Sequence, residues 1–222
     1  MERVFDGHIY DMVCQNGNIV FTYCKDSIDN AALIGYKMIT RDNPVPATVA
    51  KNIYLLSKFG SNYRKASELS SNYVFAKTTE LPSGVFCVLA DTGNAYLVDH
   101  SGLPFWSGDL NYKGEKPSDI AAYKNTIWAC YKKASVLLRF NLTTMREEIR
   151  IGGKKSPFSE PTDIFINDNI ATVCNSGSNK LIEVNLDSYV LKYREEFSES
   201  VYSFVSFDDK RYVLLESGLY VV

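Results

Sequence analysis

No stretch of this 222-residue sequence approaches the roughly 18 consecutive apolar residues that a membrane-spanning helix needs. A basic excess is also missing: 24 Lys and Arg stand against 26 Asp and Glu, for a net charge of -2. That balance argues against nucleic acid or an anionic membrane as a partner. Histidine is scarce, with only His8 and His100, so a three-histidine zinc site cannot be assembled. The cysteines are Cys14, Cys24, Cys87, Cys130 and Cys174, an odd set with no Cys-x-x-Cys pair. Each lies in an apolar or aromatic run, which reads as buried reduced thiols rather than a disulfide framework or a zinc cluster. A Gly-x-Ser-x-Gly elbow is absent. Gly152-Gly-Lys-Lys-Ser156 lacks both the spacing and the following helix of a phosphate loop.

Aromatic residues are abundant, with 15 Tyr and 12 Phe, and the apolar fraction of 45% suffices for a packed core. Rings of this kind pack well on pleated surfaces, so the composition favours β structure. The strongest signal is a repeat. Pro117-Ser-Asp-Ile120 recurs 44 residues later as Pro161-Thr-Asp-Ile164. At the same offset Cys130 matches Cys174, Leu137 matches Leu181, and Asn141-Leu142 matches Asn185-Leu186. Each unit contains four short apolar segments divided by turn residues, the pattern of an antiparallel meander. Weaker copies lie on both sides, which makes five units of about 44 residues, the size of a propeller blade. The last unit lacks a fourth strand, whereas residues 1–6 supply a spare one. The expected fold is therefore all-β: a single five-bladed β-propeller over 1–222, with blades at 7–60, 72–114, 117–153, 161–197 and 201–222 plus 1–6. The N-terminal strand should complete the last blade and remove the open sheet edges. Residues 41–71 depart from the repeat. There Pro44 and Pro46 break the strand pattern, 52–58 reads as the outer strand of the first blade, and 64–71 as a polar connector.

The turns Ala90-Asp-Thr-Gly-Asn94 and Cys174-Asn-Ser-Gly-Ser-Asn179 resemble those of NHL-repeat propellers. Ile151-Gly-Gly153 followed by Phe158-Ser-Glu-Pro161 is similar to that family's blade-opening element. The likeness is good over 117–197, partial over 85–102 and poor at both ends. In size the chain is closer to five-bladed tachylectin-type propellers. The resemblance implies the fold; propellers serve binding, catalysis and scaffolding alike.

Three candidate constellations follow. Asp11, Asp119 and Asp163 each begin an innermost strand, so they should converge on one mouth of the central channel. Clustered carboxylates can bind calcium, and the resemblance to gluconolactonase-like propellers implies a metal at that place. The same carboxylates can instead accept backbone N–H groups at blade junctions. No cofactor is required by the sequence, with calcium as the alternative. Phe105, Trp106 and Tyr112 form an aromatic stretch able to contact a partner or a sugar ring, whereas Trp128 reads as core. The sequon at Asn141-Leu-Thr143 is taken as idle, because the charged N-terminus has no secretory signal pattern. The expected function is non-enzymatic: a propeller that binds a protein partner or joins a larger assembly, in the cytoplasm or in a phage or virion assembled there. A carbohydrate-binding lectin and a metal-dependent lactonase-like hydrolase are the alternatives.

Overall fold

The computed structural model describes residues 1–28, 31–60, 76–207 and 209–222, and only the backbone of 27, 28, 31 and 32. Among these residues, five four-stranded antiparallel sheets form the blades of a propeller. Blade 1 comprises β2 (Ile9–Gln15), β3 (Asn18–Ile28), β4 (Ala31–Ile39) and β5 (Ala47–Thr48). Blade 2 comprises β6 (Lys77–Glu80), β7 (Phe86–Leu89), β8 (Asn94–Val98) and β9 (Pro104–Asp109). Blade 3 runs from β10 (Asp119–Tyr123) through β11 (Thr126–Tyr131) and β12 (Val136–Asn141) to β13 (Glu147–Gly152). Blade 4 runs from β14 (Pro161–Asn167) through β15 (Ile170–Asn175) and β16 (Lys180–Asn185) to β17 (Leu191–Glu196). Blade 5 holds β18 (Val201–Phe207), β19 (Lys210–Leu215) and β20 (Gly218–Val221), and its outer position is filled by β1 (Glu2–Phe5).

Local chemistry sets these strands. The Asn16-Gly17 corner between β2 and β3 has positive φ at both residues (51° and 72°), the backbone of a two-residue hairpin turn matched to strand twist. The second strand of a blade is covered on both faces by neighbouring blades. Five of the six residues of β11 are accordingly buried, and Trp128 is fully so. Outer strands alternate instead; Ile149 and Ile151 of β13 face inward between exposed Glu148, Arg150 and Gly152-flanked positions. The core is thus divided into separate layers between blades, joining blades 2 and 3, 3 and 4, 4 and 5, and 5 and 1.

Closure by β1 agrees with the expectation from the sequence. Glu2 pairs with Val221, Arg3 with Tyr220 and Phe5 with Leu219. Phe5 also packs on Phe21 and Tyr23 of blade 1, with ring centroids 5.1 and 5.2 Å away.

One expectation is corrected. Residues 52–58 do not form a strand; they lie within helix α1 (Lys51–Phe59). The run Ile53-Tyr-Leu-Leu56 looks like a buried strand because four apolar residues in a row carry no period of their own. Helical spacing puts Tyr54 and Lys58 on one buried face. Gly60, at φ +62°, ends the helix and returns its N–H to the Leu56 carbonyl. The outer strand of blade 1 is the two-residue β5 instead. The connector expected at 64–71 lies outside the described residues. Around the channel, β6 packs on β10, β10 on β14, β14 on β18 and β18 on β2. Beside β2, α1 packs on β2 and β3. Phe59 reaches across to Val88 and Val98 of blade 2.

Removing residues 1–6 should unpair the edge of β20 and strip Val4 and Phe5 from the layer between blades 5 and 1. Both side chains are partly buried, so their loss costs about 2–3 kcal/mol, before the exposed edge is counted. The truncated protein should melt several degrees lower and aggregate on heating; an unchanged melting curve would contradict closure by β1.

Cys130 and Cys174 occupy equivalent positions on β11 and β15, opposite Asp119 and Asp163, and are fully buried. Burial raises both thiols well above their ordinary pKa. Thiol titration of the native protein should find them unreactive until the chain unfolds. Rapid labelling of either would show that the blade layers are open.

Candidate functional site

The channel axis is ringed by one residue from the start of each inner strand: Asp11, Lys77, Asp119, Asp163 and Ser203. Their registers correspond, each lying opposite the second strand, at Thr22, Leu89, Cys130, Cys174 and Leu214. The three carboxylates singled out in the sequence all line one channel cavity of about 320 Å³.

Asp119 and Asp163 stitch consecutive blades together. The Ile164 N–H of blade 4 donates to Asp119 Oδ2 at 3.0 Å, and the Phe204 N–H of blade 5 donates to Asp163 Oδ2 at 3.0 Å. The residue before each carboxylate adds a second bond. Ser118 Oγ donates to the Pro161 carbonyl at 2.8 Å, and Thr162 Oγ1 to the Tyr202 carbonyl at 3.0 Å. The repeated Pro-Ser/Thr-Asp-Ile motif is therefore a two-point latch from one inner strand to the next. Between blades 2 and 3 its counterpart is the Ala122 N–H donating to Thr79 Oγ1 at 2.7 Å.

Asp11 behaves differently because α1 stands between it and blade 2. Its Oδ2 accepts from Tyr54 Oη at 2.7 Å and from Lys58 Nζ at 2.8 Å, both on the helix. Lys77 Nζ approaches Oδ1 at 3.4 Å and also lies 3.8 Å from Asp119. The Lys58 carbonyl accepts from Thr78 Oγ1 at 2.8 Å, which ties the helix end to blade 2. Sequence reasoning missed Tyr54 and Lys58 because their spacing of four was read as strand. At the corresponding place in blade 2 a lysine, Lys77, replaces the aspartate of the repeat.

The electrostatics follow from these contacts. Burial alone would raise the Asp11 carboxyl, but the Lys58 and Lys77 ammonium groups outweigh it and hold the pKa below the usual carboxylate range. Burial pulls Lys58 below the ordinary lysine value, and Asp11 only partly restores it. For Lys77 burial is outweighed by Asp119, Asp11 and Asp163, which raise its pKa. Asp163 moves the other way: burial, and then the like charge of Asp119, push it well above the ordinary value.

A calcium ion does not fit this arrangement. It needs six to eight oxygens at about 2.3–2.6 Å, whereas two ammonium groups here already point at the carboxylates. Among the described residues no three His, Cys, Asp or Glu side chains are grouped so as to hold a metal ion.

The aromatic stretch does not form one platform. Phe105 and Trp106 are neighbours on β9, where a bulge between the pairs Leu97–Trp106 and Val98–Pro104 leaves Phe105 as the extra residue. Phe105 is 59% exposed, while Trp106 and Tyr112 pack against the layer between blades 2 and 3. Tyr112 also meets Tyr131 and the Arg150 guanidinium. His100 is exposed in the turn between β8 and β9; His8 is exposed beside the channel mouth.

No protein-family model matches the chain, and no curated protein matches its sequence. Solved structures do resemble its fold. Virginiamycin B lyase from Staphylococcus aureus superposes with a TM-score of 0.55 at 12% identity, covering 100% of this chain and 86% of that one. A protein of unknown function from Bacteroides caccae gives 0.53 at 15% identity, covering 93% and 70%. The computationally designed Ika8 protein gives 0.53 at 11% identity, covering 96% and 71%. At such identities the likeness concerns the propeller fold alone.

Two substitutions of the same kind should act in opposite directions. Asp11→Asn leaves Lys58 buried without its counter-charge, and breaking a buried pair this way costs about 3–5 kcal/mol. Asp163→Asn keeps an oxygen for the Phe204 N–H and removes a charge that the site disfavours. A raised native pKa means stability that is present under acid conditions and lost as pH rises through the native value. The Asp163→Asn variant should therefore gain on the parent protein as pH increases from 4 to 8, as read by thermal melting. A gain that shrinks with pH, or equal losses in both variants, would contradict the charge assignment.

Proposed function

We propose that this propeller is a non-enzymatic module that binds a protein partner, alone or within a larger assembly. The observation that carries the reading is that the axial carboxylates and ammonium groups are occupied with one another and with the backbone of adjacent blades. A catalytic carboxylate must instead be available to a substrate proton or carbon. The NHL-like turn motifs support the same assignment of the repeat as a scaffold. The contact surface we favour is the rim of blade 2. There Leu103, just before the outer strand β9, and Phe105, the extra residue of a bulge in it, are 57% and 59% exposed. The two apolar side chains lie at the outer strand of the blade, where an edge can receive a partner.

A Leu103→Ser, Phe105→Ser double variant tests this reading. Both residues are exposed, so its melting temperature should match that of the parent. In quantitative pull-downs from the source cells, proteins enriched by the parent should be lost with the variant. If the two baits retain the same proteins, the rim of blade 2 is not the contact surface.

A further inference from the structure

The Ser/Thr-Asp latch joins blades 3 and 4 and blades 4 and 5, other contacts replace it between blades 1 and 2 and blades 2 and 3, and between blades 5 and 1 a cavity lies where it would be. Blades 3 and 4 carry Ser118-Asp119 and Thr162-Asp163, which hold the next blade by a hydroxyl and a carboxylate. At the same two positions blade 5 carries Tyr202 and Ser203. Ser203 Oγ turns back to Asp163 of blade 4, at 3.1 Å, rather than forward to blade 1. Blade 1 likewise has Tyr10 before Asp11. In both blades the tyrosine is the extra residue of a bulge in the inner strand; blade 4 has the same bulge with Thr162 in that place, so what changes is the side chain that the bulge aims. A cavity of about 500 Å³ opens between the bulges of blades 5 and 1 on the face where the inner strands begin. This volume lies in the range of small-molecule sites, about 300–1,000 Å³. Departure from a repeat's own structural rule is where function is expected.

The lining defines the ligand chemistry. Tyr10 and Tyr202 flank the cavity together with His8, whose ring meets Tyr10 edge-on at 4.7 Å and 84°. The Tyr10 hydroxyl is engaged with the Cys24 thiol, so its ring is held in place. Lys77 forms part of the floor. Its contacts to Asp11 and Asp119, at 3.4 and 3.8 Å, are long for an ammonium, and its side chain is 27% exposed. A third, shorter acceptor can therefore reach it. Ser203 lies beside it, and Glu216 offers acceptor oxygens at the exposed lip. The lining sets the Lys77 ammonium among the carboxyl groups of Asp11, Asp163 and Glu216 and the Ser203 hydroxyl, so hydrogen-bond donors and acceptors both face the cavity. Such a lining suits an uncharged ring with hydroxyl groups along its edge and an apolar face for the tyrosines.

We propose that the cavity between blades 5 and 1 binds a neutral, polyhydroxylated ring compound the size of a mono- or disaccharide, seated between Tyr10 and Tyr202 with its hydroxyls on Lys77, Ser203 and Glu216. This is a single site at one junction, separate from the rim of blade 2, and it stands or falls independently of the protein-binding reading.

The test uses the methyl glycosides of glucose, galactose, mannose and N-acetylglucosamine as probes, with saturation-transfer NMR on the full chain. At least one should show transfer and a saturable millimolar affinity. Tyr202→Thr installs the residue that blade 4 has at this position, and it should weaken binding tenfold or more. Should that variant fail to fold, Glu216→Ala at the exposed lip serves, with an expected loss of several-fold. The Leu103→Ser, Phe105→Ser variant should bind as the parent does. No transfer from any of the four glycosides, or undiminished binding in the folded Tyr202→Thr or Glu216→Ala protein, would overturn the proposal.

Discussion

The buried contact between Lys58 and Asp11, 2.8 Å long, lets a ring of five blades close around an inserted helix. A propeller needs each inner strand to hold the next, because the sheets otherwise meet only through side-chain layers. At the junction of blades 1 and 2 the Asp11 carboxylate is taken up by side chains of α1 and by Lys77 rather than by a backbone N–H of the next inner strand. The helix supplies substitute donors, Tyr54 and Lys58, one turn apart. The carboxylate keeps its structural role and changes only its partner. A neutral acceptor at position 11 would leave the ammonium of Lys58 buried with no compensating charge, which is far more costly than any exposed ion pair.

That substitution sets the charge of the whole axis. Three carboxylates around one channel would repel, and one would take up a proton. Lys58 and Lys77 relieve two of them, and the third, Asp163, is the one whose pKa rises. The lysine that replaces aspartate in blade 2 is therefore not a lapse of the repeat. Lys77 brings a positive charge to both Asp11 and Asp119, tethered through its own strand.

Much of this was legible in the sequence. The 44-residue offset, the surplus strand at one end and the deficit at the other specify blade number and closure, since both depend on backbone pairing that any apolar alternation reports. The positions of Asp11, Asp119 and Asp163 on the axis follow from the same repeat. Helix α1 was not legible, because Ile53-Tyr-Leu-Leu56 fits a strand as well as a helix and Gly60 was the sole stop signal at its end. The ammonium groups were hidden for the same reason: Lys58 is positioned by that helix, and Lys77 lies in a blade whose repeat is weakly marked. The contrast between Phe105 and Trp106 was not legible, because it depends on a bulge at Phe105 and on which side blade 3 covers.

Why the latch can be dispensed with between blades 5 and 1 follows from how the ring closes. At the other regular junctions the chain passes from the outer strand of one blade to the inner strand of the next: β9 to β10, β13 to β14, β17 to β18. Because β1 sits at the outer edge of blade 5, residues 6–8 make the same covalent passage into β2. The break between chain ends is thereby moved inside blade 5, where β1 and β20 are joined by backbone hydrogen bonds. The junction itself keeps a covalent link and an apolar layer containing Phe5, Phe21 and Tyr212. Ser203 and Tyr202 are thus relieved of the holding role that Asp163 and Thr162 perform one blade earlier. A junction freed in this way is a place on the axis where side chains can be chosen for a ligand rather than for the ring.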